Sequence, residues 1–295
     1  MCRIFGFRSI IESQVHQSLI QADNALLNQS KVHSDGWGVA YYKGGIPHLI
    51  KSSKSAWSDR LFRQLSGILS SYTVVAHLRK ATIGPVNNIN THPFQYGRWV
   101  FVHNGNLRDF NLKKKLLYEK IDPELSRFIL GETDSECLFF LLLTNLKRQL
   151  DPLKGSPRME FLKSAVQVTL SEIEKIFGPI QKNDGGDPTD QYLTFLLTDG
   201  VQLIAHQGGK KLFYSTHKKL CNQRNTCPAY AKTCETYNPK LPVQHLLISS
   251  ETLHGENVWS ELEPGSIVAL NEQRKLSITD SSLKGKKTIS FSPIS

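Results

Sequence analysis

The order of strand and helix signals along the 295-residue chain predicts an α+β fold built on antiparallel sheets. Strand signals dominate the first 110 residues, helical periodicity fills the middle of the chain, and strand signals return after residue 190. Because strands and helices do not alternate one by one, parallel β-α-β units are disfavoured. We therefore expect one domain in which two sheets pack face to face and helices cover them.

The N-terminal part reads mostly as strands separated by turns. Its segments are rich in β-branched and aromatic residues, and a Gly44-Gly45 pair marks a hairpin. Residues 18–27 are the exception, because their apolar side chains recur at helical spacing. The expected strands are 3–7, 38–42, 47–51, 73–78 and 99–103.

Two helices are predicted in the middle of the chain. Thr133 and Glu136 fit a capping box, and the apolar run behind them indicates a helix of about 15 residues. Residues 161–177 carry apolar side chains at i, i+3 and i+4 spacing, with breaks at Gly155–Arg158 and Gly178-Pro179. Both segments fit helices that lie on a sheet.

The remainder of the chain is expected to complete the same sheets. Residues 1–150 hold the motifs described below, 151–283 complete the sheets, and the polar segment 284–295 is expected to be loosely ordered. The sequence therefore predicts a single domain over residues 1–295. The later strands are expected at 192–197, 201–205, 211–215, 244–249 and 266–270.

Composition excludes several classes of protein. The chain is 39% hydrophobic and 21% charged, which is ordinary for a globular protein. Its net charge of +10 is scattered, without a run of five or six like charges, so nucleic-acid binding is disfavoured as its main function. No apolar run reaches the ~18 residues of a membrane span, and no signal peptide is visible. We expect a cytoplasmic protein that does not enter membranes.

Cysteine and histidine spacing gives no metal or cofactor signal. The five cysteines, an odd number, are expected to be reduced thiols. Cys221, Cys227 and Cys234 lack the Cys-x2-Cys spacing of zinc sites, which favours ordinary thiols in an insertion. A zinc loop with His217 as its fourth ligand is the alternative. The other histidines show no close ligand spacing, so no metal and no cofactor are expected.

The residue after the initiator methionine is a cysteine. If Met1 is trimmed, which a small second side chain permits, Cys2 carries both a thiol and a free α-amine. An α-amine with a pKa of roughly 7.7–8.0 can take the proton of a thiol whose pKa is about 8.5. One residue would then supply both a nucleophile and its base. The alternative is a small apolar residue at the start of a strand.

Asn104 and Gly105 offer a place for an oxyanion. The Asn104 side chain supplies an NH₂ group, and Gly105 supplies a backbone N–H that no Cβ obstructs. Asn-Gly is also the commonest hairpin turn signal. Residues 107–118 contain three consecutive lysines and no alternation, so no returning strand is visible. That absence weakens the hairpin interpretation.

Two charged residues are candidates for holding an amino-acid substrate. Arg79 ends an apolar strand, where a guanidinium can bind a carboxylate with two hydrogen bonds. Asp134 could hold an ammonium group. Each has an ordinary alternative: a surface ion pair for Arg79, and a favourable interaction with the helix dipole for Asp134. Segments 33–38 and 90–94 are also dense in polar and aromatic groups, and either could be a plain turn.

Taken together, the order and spacing of these motifs resemble the glutaminase domain of class II glutamine amidotransferases. The resemblance covers about residues 1–150 and extends more loosely through Leu197–Gly200 and Ser249–Glu251 with Trp259. It is greatest to small stand-alone members, which include bacterial amidotransferases with an Asp-Gly-Trp-Gly motif and γ-glutamyl hydrolases of ergothioneine biosynthesis and fungal glutathione breakdown. The motifs are Met1-Cys2, Asp35-Gly36-Trp37-Gly38, His77-Leu78-Arg79-x-Ala81-Thr82, Thr91-His92-Pro93, His103-Asn104-Gly105 and Thr133-Asp134-Ser135-Glu136.

The resemblance implies a four-layer αββα N-terminal-nucleophile hydrolase fold with two stacked antiparallel sheets. It implies Cys2 as nucleophile and base, and Asn104 with Gly105 as the oxyanion hole. Arg79 would bind the α-carboxylate of the substrate and Asp134 its α-ammonium. Further substrate-pocket or supporting positions implied in the same way are Thr82, His92, His33 and Trp37.

The implied reaction is cleavage of the γ-amide of glutamine or a γ-glutamyl compound through a Cys2 thioester. Glutamate and ammonia, or another amine, would be released. The multidomain relatives follow the glutaminase with a synthase domain, whereas here only about 145 residues remain. We therefore expect a stand-alone hydrolase. One alternative is a glutaminase subunit that passes ammonia to a separate synthase partner, and another is a non-catalytic basic binding protein on the same fold.

Overall fold

Two antiparallel sheets form the centre of the molecule, seen in a computed structural model that describes residues 2–149 and 155–281. Met1 and the predicted loose tail 284–295 lie outside the described residues, as do residues 150–154 and the end of the predicted sheet-completing segment. Among the helices of the described ranges, none is both long and apolar enough to cross a membrane.

The strands and helices are numbered in chain order. The strands are β1 (Arg3–Gln14), β2 (Trp37–Lys43), β3 (Ile46–Ser52), β4 (Ser70–Leu78), β5 (Phe94–Tyr96), β6 (Trp99–Asn106), β7 (Tyr192–Thr198), β8 (Leu203–His206), β9 (Phe213–Ser215), β10 (His245–Ser249), β11 (Ser260–Glu261), β12 (Ser266–Leu270) and β13 (Leu276–Asp280). The α-helices are α1 (Leu26–Gln29), α2 (Arg60–Ile68), α3 (Phe110–Tyr118), α4 (Pro123–Ser126), α5 (Asp134–Lys147) and α6 (Met159–Phe177).

The N-terminal strand lies in the interior of the first sheet. The strand order there is β11-β9-β10-β1-β4-β2-β3, and the second sheet runs β13-β12-β8-β7-β6-β5. Ile4 pairs with His77 of β4 on one side, and Phe5 pairs with Ser249 of β10 on the other. Cys2, directly before β1, is therefore held at one end of the sheet between two neighbouring strands.

Three apolar clusters define four layers. One fills the space between the sheets and includes Ile4 and Val102. A second lies between the first sheet and the helical segments near the N-terminus, and a third lies between the second sheet and α3, α5 and α6. Successive side chains of β1 alternate, with Ile4 between the sheets and Phe5 on the outer face. The predicted four-layer α+β fold is confirmed.

The longer predicted elements are present. The hairpin of β2 and β3 turns at Gly44 and Gly45, which both have positive φ. Helix α5 begins where the capping box predicts, and the Thr133 hydroxyl accepts the Glu136 N–H at 3.3 Å. Helix α6 covers the predicted segment with two additional residues at its start.

The predicted helix at 18–27 is wrong. A π-helical turn spans Gln17–Gln21, and α1 is a separate helix of four residues. Between them Asn24 is held by contacts with a distant segment, because its side chain donates to the Thr252 carbonyl and accepts the His254 N–H. The helical spacing of apolar residues still has a structural basis, since Leu19 and Leu26 pack in the same cluster.

Candidate active site

The Cys2 thiol lies at the rim of the space between the sheets. Its Sγ is 3.3 Å from the Lys80 backbone nitrogen, which donates to it, and 3.5 Å from the Lys80 carbonyl oxygen. Arg3 pairs with Leu78, so the register continued by one residue places Cys2 opposite Arg79. The even-numbered residues of β1 face the second sheet, and Cys2 shares their orientation.

The surroundings of Cys2 favour a neutral thiol. Burial raises the pKa of the Cys2 thiol above its usual value, while the Lys80 N–H and the positive charge of Arg79 oppose that rise. The negative charge of Asp134 acts in the same direction as burial. A thiol in this position needs a nearby base to become a nucleophile.

A network at the end of β10 holds the residues around Cys2. The Ile4 N–H donates to Ser250 Oγ at 2.9 Å, and the Ser250 N–H donates to the Ile4 carbonyl at 3.0 Å. The Arg3 guanidinium donates to the Cys2 carbonyl at 3.3 Å and forms an ion pair with Glu251. Sequence analysis singled out Ser249–Glu251 only through the family resemblance and missed Arg3. The adjacency of Arg3 to Cys2 was the available signal.

Asn104 and Gly105 lie within β6 rather than in a hairpin turn, opposite Thr194 and Leu193 of β7. Asn104 is buried, and its side-chain oxygen has no hydrogen-bond partner in the described structure. It occupies the same face of β6 as Val102, so it faces the space between the sheets, as Cys2 does. A Cβ on Gly105 would lie 1.9 Å from the Tyr192 carbonyl oxygen. Close packing therefore requires glycine here independently of any chemistry.

Arg79 is 3% exposed and holds the loop that follows it. Its guanidinium donates to the carbonyls of Ile83 and Gly84, each at 3.1 Å, and of Pro85 at 2.9 Å. A guanidinium has five N–H donors, so three bonds leave two for a ligand. Burial lowers the pKa of Arg79, and Cys2 in its thiolate form and the carboxylates of Asp35 and Asp134 oppose that effect. The guanidinium is not part of a surface ion pair but a buried cation that orders a loop.

Asp35, just before β2, forms hydrogen bonds with the backbone around Arg79. The Asp35 N–H donates to the Arg79 carbonyl at 3.1 Å, and the Asp35 carboxylate accepts the Ala81 N–H at 2.9 Å. The backbone on both sides of Arg79 is therefore fixed. This gives the Asp35–Gly38 motif a structural role at the site.

Asp134 is buried in the first turn of α5. Its carboxylate accepts the Leu107 N–H at 2.8 Å and the Ser135 N–H at 2.7 Å. The carboxylate thereby connects the helix to the residue that follows β6. Its place at a helix N-terminus also fits the dipole interpretation, and the two roles are compatible.

The remaining predicted residues have different positions. His92 is buried with its ring 4.2 Å from that of His77, and burial, followed by repulsion between the two rings when both are protonated, places its pKa well below the usual range. His33 is buried close enough to His77 to contribute to lowering the pKa of His77 to about 3, an effect that comes mainly from burial. Thr82 is exposed in the loop that Arg79 holds. The structure therefore brings His33 and His92 near the buried interior and leaves Thr82 at the surface.

Trp37 does not lie in the pocket. Its ring packs edge-on against Phe62 at 5.0 Å, and its indole N–H donates to Asp59 at 3.0 Å. It belongs to the cluster on the outer face of the first sheet, whereas Cys2 faces the second sheet. Trp37 therefore faces away from the space that Cys2 faces, because side chains alternate along a strand and its neighbour Gly38 is the residue that faces inward.

Within residues 2–149 and 155–281, no group of three or more His, Cys, Asp and Glu side chains is arranged to hold a metal ion. The alternative zinc loop with His217 gains no support. Cys221 and Cys234 are instead part of a turn arranged around Glu235, whose carboxylate accepts the Cys221 N–H at 2.7 Å.

Comparisons with known proteins agree with one another. A family model described as "Glutamine amidotransferases class-II" matches residues 1–292. "Probable glutamine amidotransferase DUG3" of Saccharomyces cerevisiae is 32% identical in an alignment of 224 residues. The match covers 69% of this chain and 62% of that protein, which is less than two thirds of its length.

Two further matches differ in what they cover. The gamma-glutamyl-hercynylcysteine sulfoxide hydrolase of Mycobacterium tuberculosis is 37% identical over 75 residues, 25% of this chain and 32% of that protein. The structure of a glutamine aminotransferase class-II domain protein from Silicibacter pomeroyi aligns with a TM-score of 0.59 and 21% identity, over 95% of this chain and 99% of the other. At that identity the alignment shows the fold alone.

Proposed function

The chain belongs to the family of class-II glutamine amidotransferases, and from that membership we propose that it cleaves the γ-amide of glutamine or of a γ-glutamyl compound through a thioester on Cys2. The main support is the position of Cys2, which faces the inter-sheet space as Asn104 does and lies within electrostatic reach of Arg79 and Asp134. We further propose that residues 1–295 form a single domain of this type.

The substrate's amino-acid head group would bind between Arg79 and Asp134. The two N–H donors of Arg79 that do not hold the loop are available to the α-carboxylate. The Asp134 carboxylate, oriented by two backbone N–H groups, is available to the α-ammonium. These contacts fix the distance from the head group to the γ-carbonyl and so present that carbonyl to Cys2.

The first half of the reaction forms the thioester. After removal of Met1, the α-amine of Cys2 takes the thiol proton, and the thiolate adds to the γ-carbonyl carbon. The Asn104 side-chain NH₂ and the Gly105 N–H stabilise the oxyanion. When the oxyanion collapses, the C–N bond breaks, and the leaving nitrogen takes the proton from the α-ammonium. The products of this half are an amine, or ammonia, and a glutamyl thioester.

The second half hydrolyses the thioester. Water gives a proton to the α-amine as it adds to the thioester carbonyl, and the same two donors stabilise the second oxyanion. The C–S bond then breaks, and the sulfur regains the proton from the α-ammonium. Glutamate is released and Cys2 returns to its starting state. Transfer of ammonia to a synthase partner would require only that the ammonia leave by a closed route.

The proposal is tested with purified protein, L-glutamine and a panel of γ-glutamyl compounds. We expect glutamate release, an intact mass that lacks Met1, and a single adduct on Cys2 after treatment with 6-diazo-5-oxo-norleucine. Cys2→Ala should abolish both release and adduct, and Cys221→Ala serves as a matched control at a thiol of the Glu235 turn. Activity with Met1 retained, or unchanged turnover by Cys2→Ala, would contradict the mechanism. Glutamate release that appears only after another protein is added would favour the subunit alternative.

A further inference from the structure

A cavity of about 350 Å³ opens at the end of the first sheet where β1 begins. Its walls include Arg3, Glu251 and Thr252 from β1 and the end of β10, and Asn104 from the second sheet. Lys210 and Asp184 complete the side nearest the second sheet. The cavity therefore adjoins both the residue after the nucleophile and the proposed oxyanion donor.

The strand order places this cavity on the side of Cys2 away from Arg79. β1 lies between β10, which leads into the cavity residues Ser250–Thr252, and β4, which leads into Arg79. A γ-glutamyl group whose head is bound at Arg79 and whose γ-carbon is at Cys2 must continue away from β4. Whatever is attached to the γ-carbonyl therefore points to the β10 side.

The volume of the cavity exceeds what ammonia as a leaving group needs. An ammonia molecule, similar in size to a water molecule, occupies roughly 30 Å³. The cavity holds about 350 Å³, in the range of sites for small organic ligands. The leaving side can therefore accept an amine with several further atoms.

Two of the residues that line the cavity each carry a side-chain atom without a hydrogen-bond partner. The Asn104 side-chain oxygen and Arg3 Nε are both buried without a hydrogen-bond partner in the described structure. The first is an acceptor and the second is a donor on a cation. An amide N–H at the scissile bond would satisfy the Asn104 oxygen, and an anionic group beyond it would satisfy Arg3.

Lys210 adds a second, ordered positive charge. It is 4% exposed, and its Nζ is 3.0 Å from the Asp184 carboxylate, 2.9 Å from the Asp184 carbonyl oxygen and 3.6 Å from the centre of the Tyr192 ring. Lys211 also lines the cavity, and its ion pair with Glu261 joins two half-exposed side chains. Each of the three cations has a carboxylate partner, but Glu261 lies outside the lining, so the residues that line the cavity themselves carry one excess positive charge.

We propose that this cavity is the leaving-group subsite and that it takes an amine carrying an anionic group, either a carboxylate or a sulfonate. The inference rests on the proposed function, because it assumes that Cys2 attacks a γ-glutamyl amide. Lys210 is the specificity-determining residue on its inner wall.

The test compares four substrates: L-glutamine, γ-glutamylglycine, the neutral γ-glutamylglycinamide and γ-glutamyltaurine. We expect kcat/KM for γ-glutamylglycine to exceed that for its amide by about tenfold, the size expected for one hydrogen bond to a charged group. If kcat/KM for γ-glutamyltaurine equals that for γ-glutamylglycine, the preference is for negative charge. If it equals that for γ-glutamylglycinamide, the preference is for the geometry of a carboxylate.

Lys210→Gln should bring the ratio of kcat/KM for γ-glutamylglycine to kcat/KM for γ-glutamylglycinamide close to one. Lys210→Arg should retain most of the preference for γ-glutamylglycine. The Asp184 side chain is 43% exposed, so water can solvate it once the lysine is removed. Lys211→Gln gives a second variant whose folding is not in question, and it should lower the ratio less. Lys175→Gln on the exposed face of α6 makes the same charge change away from the cavity and should leave the ratio as in the original protein.

The outcomes separate the two proposals. Equal kcat/KM for γ-glutamylglycine and its amide, with glutamine hydrolysed, overturns the subsite and leaves the Cys2 mechanism intact. A ratio that survives Lys210→Gln and Lys211→Gln also overturns it. Absence of hydrolysis of all four substrates by protein lacking Met1 contradicts the proposed function, and the subsite is then rejected with it.

Discussion

His103 Nδ1 and Ser135 Oγ are 2.9 Å apart, and this contact joins β6 to the first turn of α5. The other ring nitrogen, Nε2, lies 3.1 Å from the Tyr192 carbonyl oxygen, which can only accept. Nε2 therefore carries the proton of the neutral ring, and the Ser135 hydroxyl donates to Nδ1. Burial lowers the pKa of His103, which favours this neutral form although the charge of Asp134 opposes it. The proposed oxyanion strand and the proposed ammonium-binding helix are thus locked together.

Ser135→Ala removes that lock and the 3.2 Å contact of the Ser135 hydroxyl with the Asp134 carboxylate, while every residue proposed to contact substrate is kept. We expect KM for glutamine to rise several-fold because Asp134 is less well oriented, with a stability loss of about 1 kcal/mol for the lost hydrogen bond. Ser135→Thr, which keeps the hydroxyl, should recover KM. Steady-state kinetics and urea unfolding give the two numbers. An unchanged KM in the alanine variant would show that Asp134 is oriented by its backbone donors alone.

Asn104→Ala should lower kcat by about 10²- to 10³-fold, as expected when one oxyanion donor is removed. KM should change much less, because the head group binds elsewhere. The comparison variant is Asn106→Ala on the same strand, whose side chain donates to the Thr189 carbonyl instead. Equal losses of kcat in both variants would mean that the effect is structural.

Gly105→Ala should prevent folding or cost several kcal/mol, because its Cβ would meet the Tyr192 carbonyl oxygen at 1.9 Å. Gly67 in α2 has open space around it, so Gly67→Ala should stabilise the protein by about 0.5–1 kcal/mol through helix propensity. Thermal unfolding of both variants distinguishes them. Normal stability of Gly105→Ala would contradict the packing at this site.

Arg79→Lys keeps the positive charge but loses the fork that donates to three carbonyls of the following loop. We expect kcat/KM to fall at least tenfold and limited proteolysis to cut within residues 80–93. Lys80→Arg, at the exposed neighbouring side chain, is the matched control. Protection of the loop in Arg79→Lys would indicate that other contacts order it.

Buried histidines should make the protein sensitive to mild acid. Burial lowers the pKa of His77 to about 3 and those of His206 and His245 to about 4. The unfolded chain takes up these protons below pH 6.5 while the folded one does not, so stability is complete above about pH 6.5 and falls as the pH decreases. Each such group contributes at most about 1.4 kcal/mol per pH unit.

Urea unfolding between pH 7 and pH 5 measures the slope of the unfolding free energy against pH. His206→Gln should reduce it, whereas His48→Gln on the exposed part of β3 provides the same substitution at the surface. A slope unaffected by His206→Gln would show that other groups dominate the acid sensitivity.

The sequence was sufficient to predict those parts whose signals are local. Three local signals predicted structure correctly, each from residues close together in the chain. They are the Gly44-Gly45 turn, the Thr133 cap and the periodic apolar residues of α6. The break at Asn24 could not be predicted, because partners more than 200 residues away hold it. Helices α2 and α3 were both missed. Helix α2 has a local signal in its cap, because the Asp59 side chain accepts the Leu61 N–H at 3.0 Å, whereas α3 has no side-chain cap.

The candidate site divides in the same way. Cys2, Asn104, Arg79 and Asp134 belong to recognisable motifs. Cys2 lies within electrostatic reach of Arg79 and Asp134, and Asn104 faces the same inter-sheet space as Cys2. Trp37 belongs to such a motif too, yet it faces the opposite side of the sheet, because a motif does not state which way each strand residue points. The partners of Arg3 and His103, which are Glu251 and Ser135, lie on other segments, so the sequence did not indicate these contacts.

The pairing of β1 with β10 has a consequence for the newly made chain. Residues 5–9 of β1 pair with residues 245–249, so the strand that follows Cys2 gains one of its two neighbours only after residues 245–249 have been translated. Contacts of such long sequence separation form late and slow the overall folding. A nascent chain with Cys2 already exposed by removal of Met1 would therefore lack the ordered site until residues 245–249 have emerged and paired with β1.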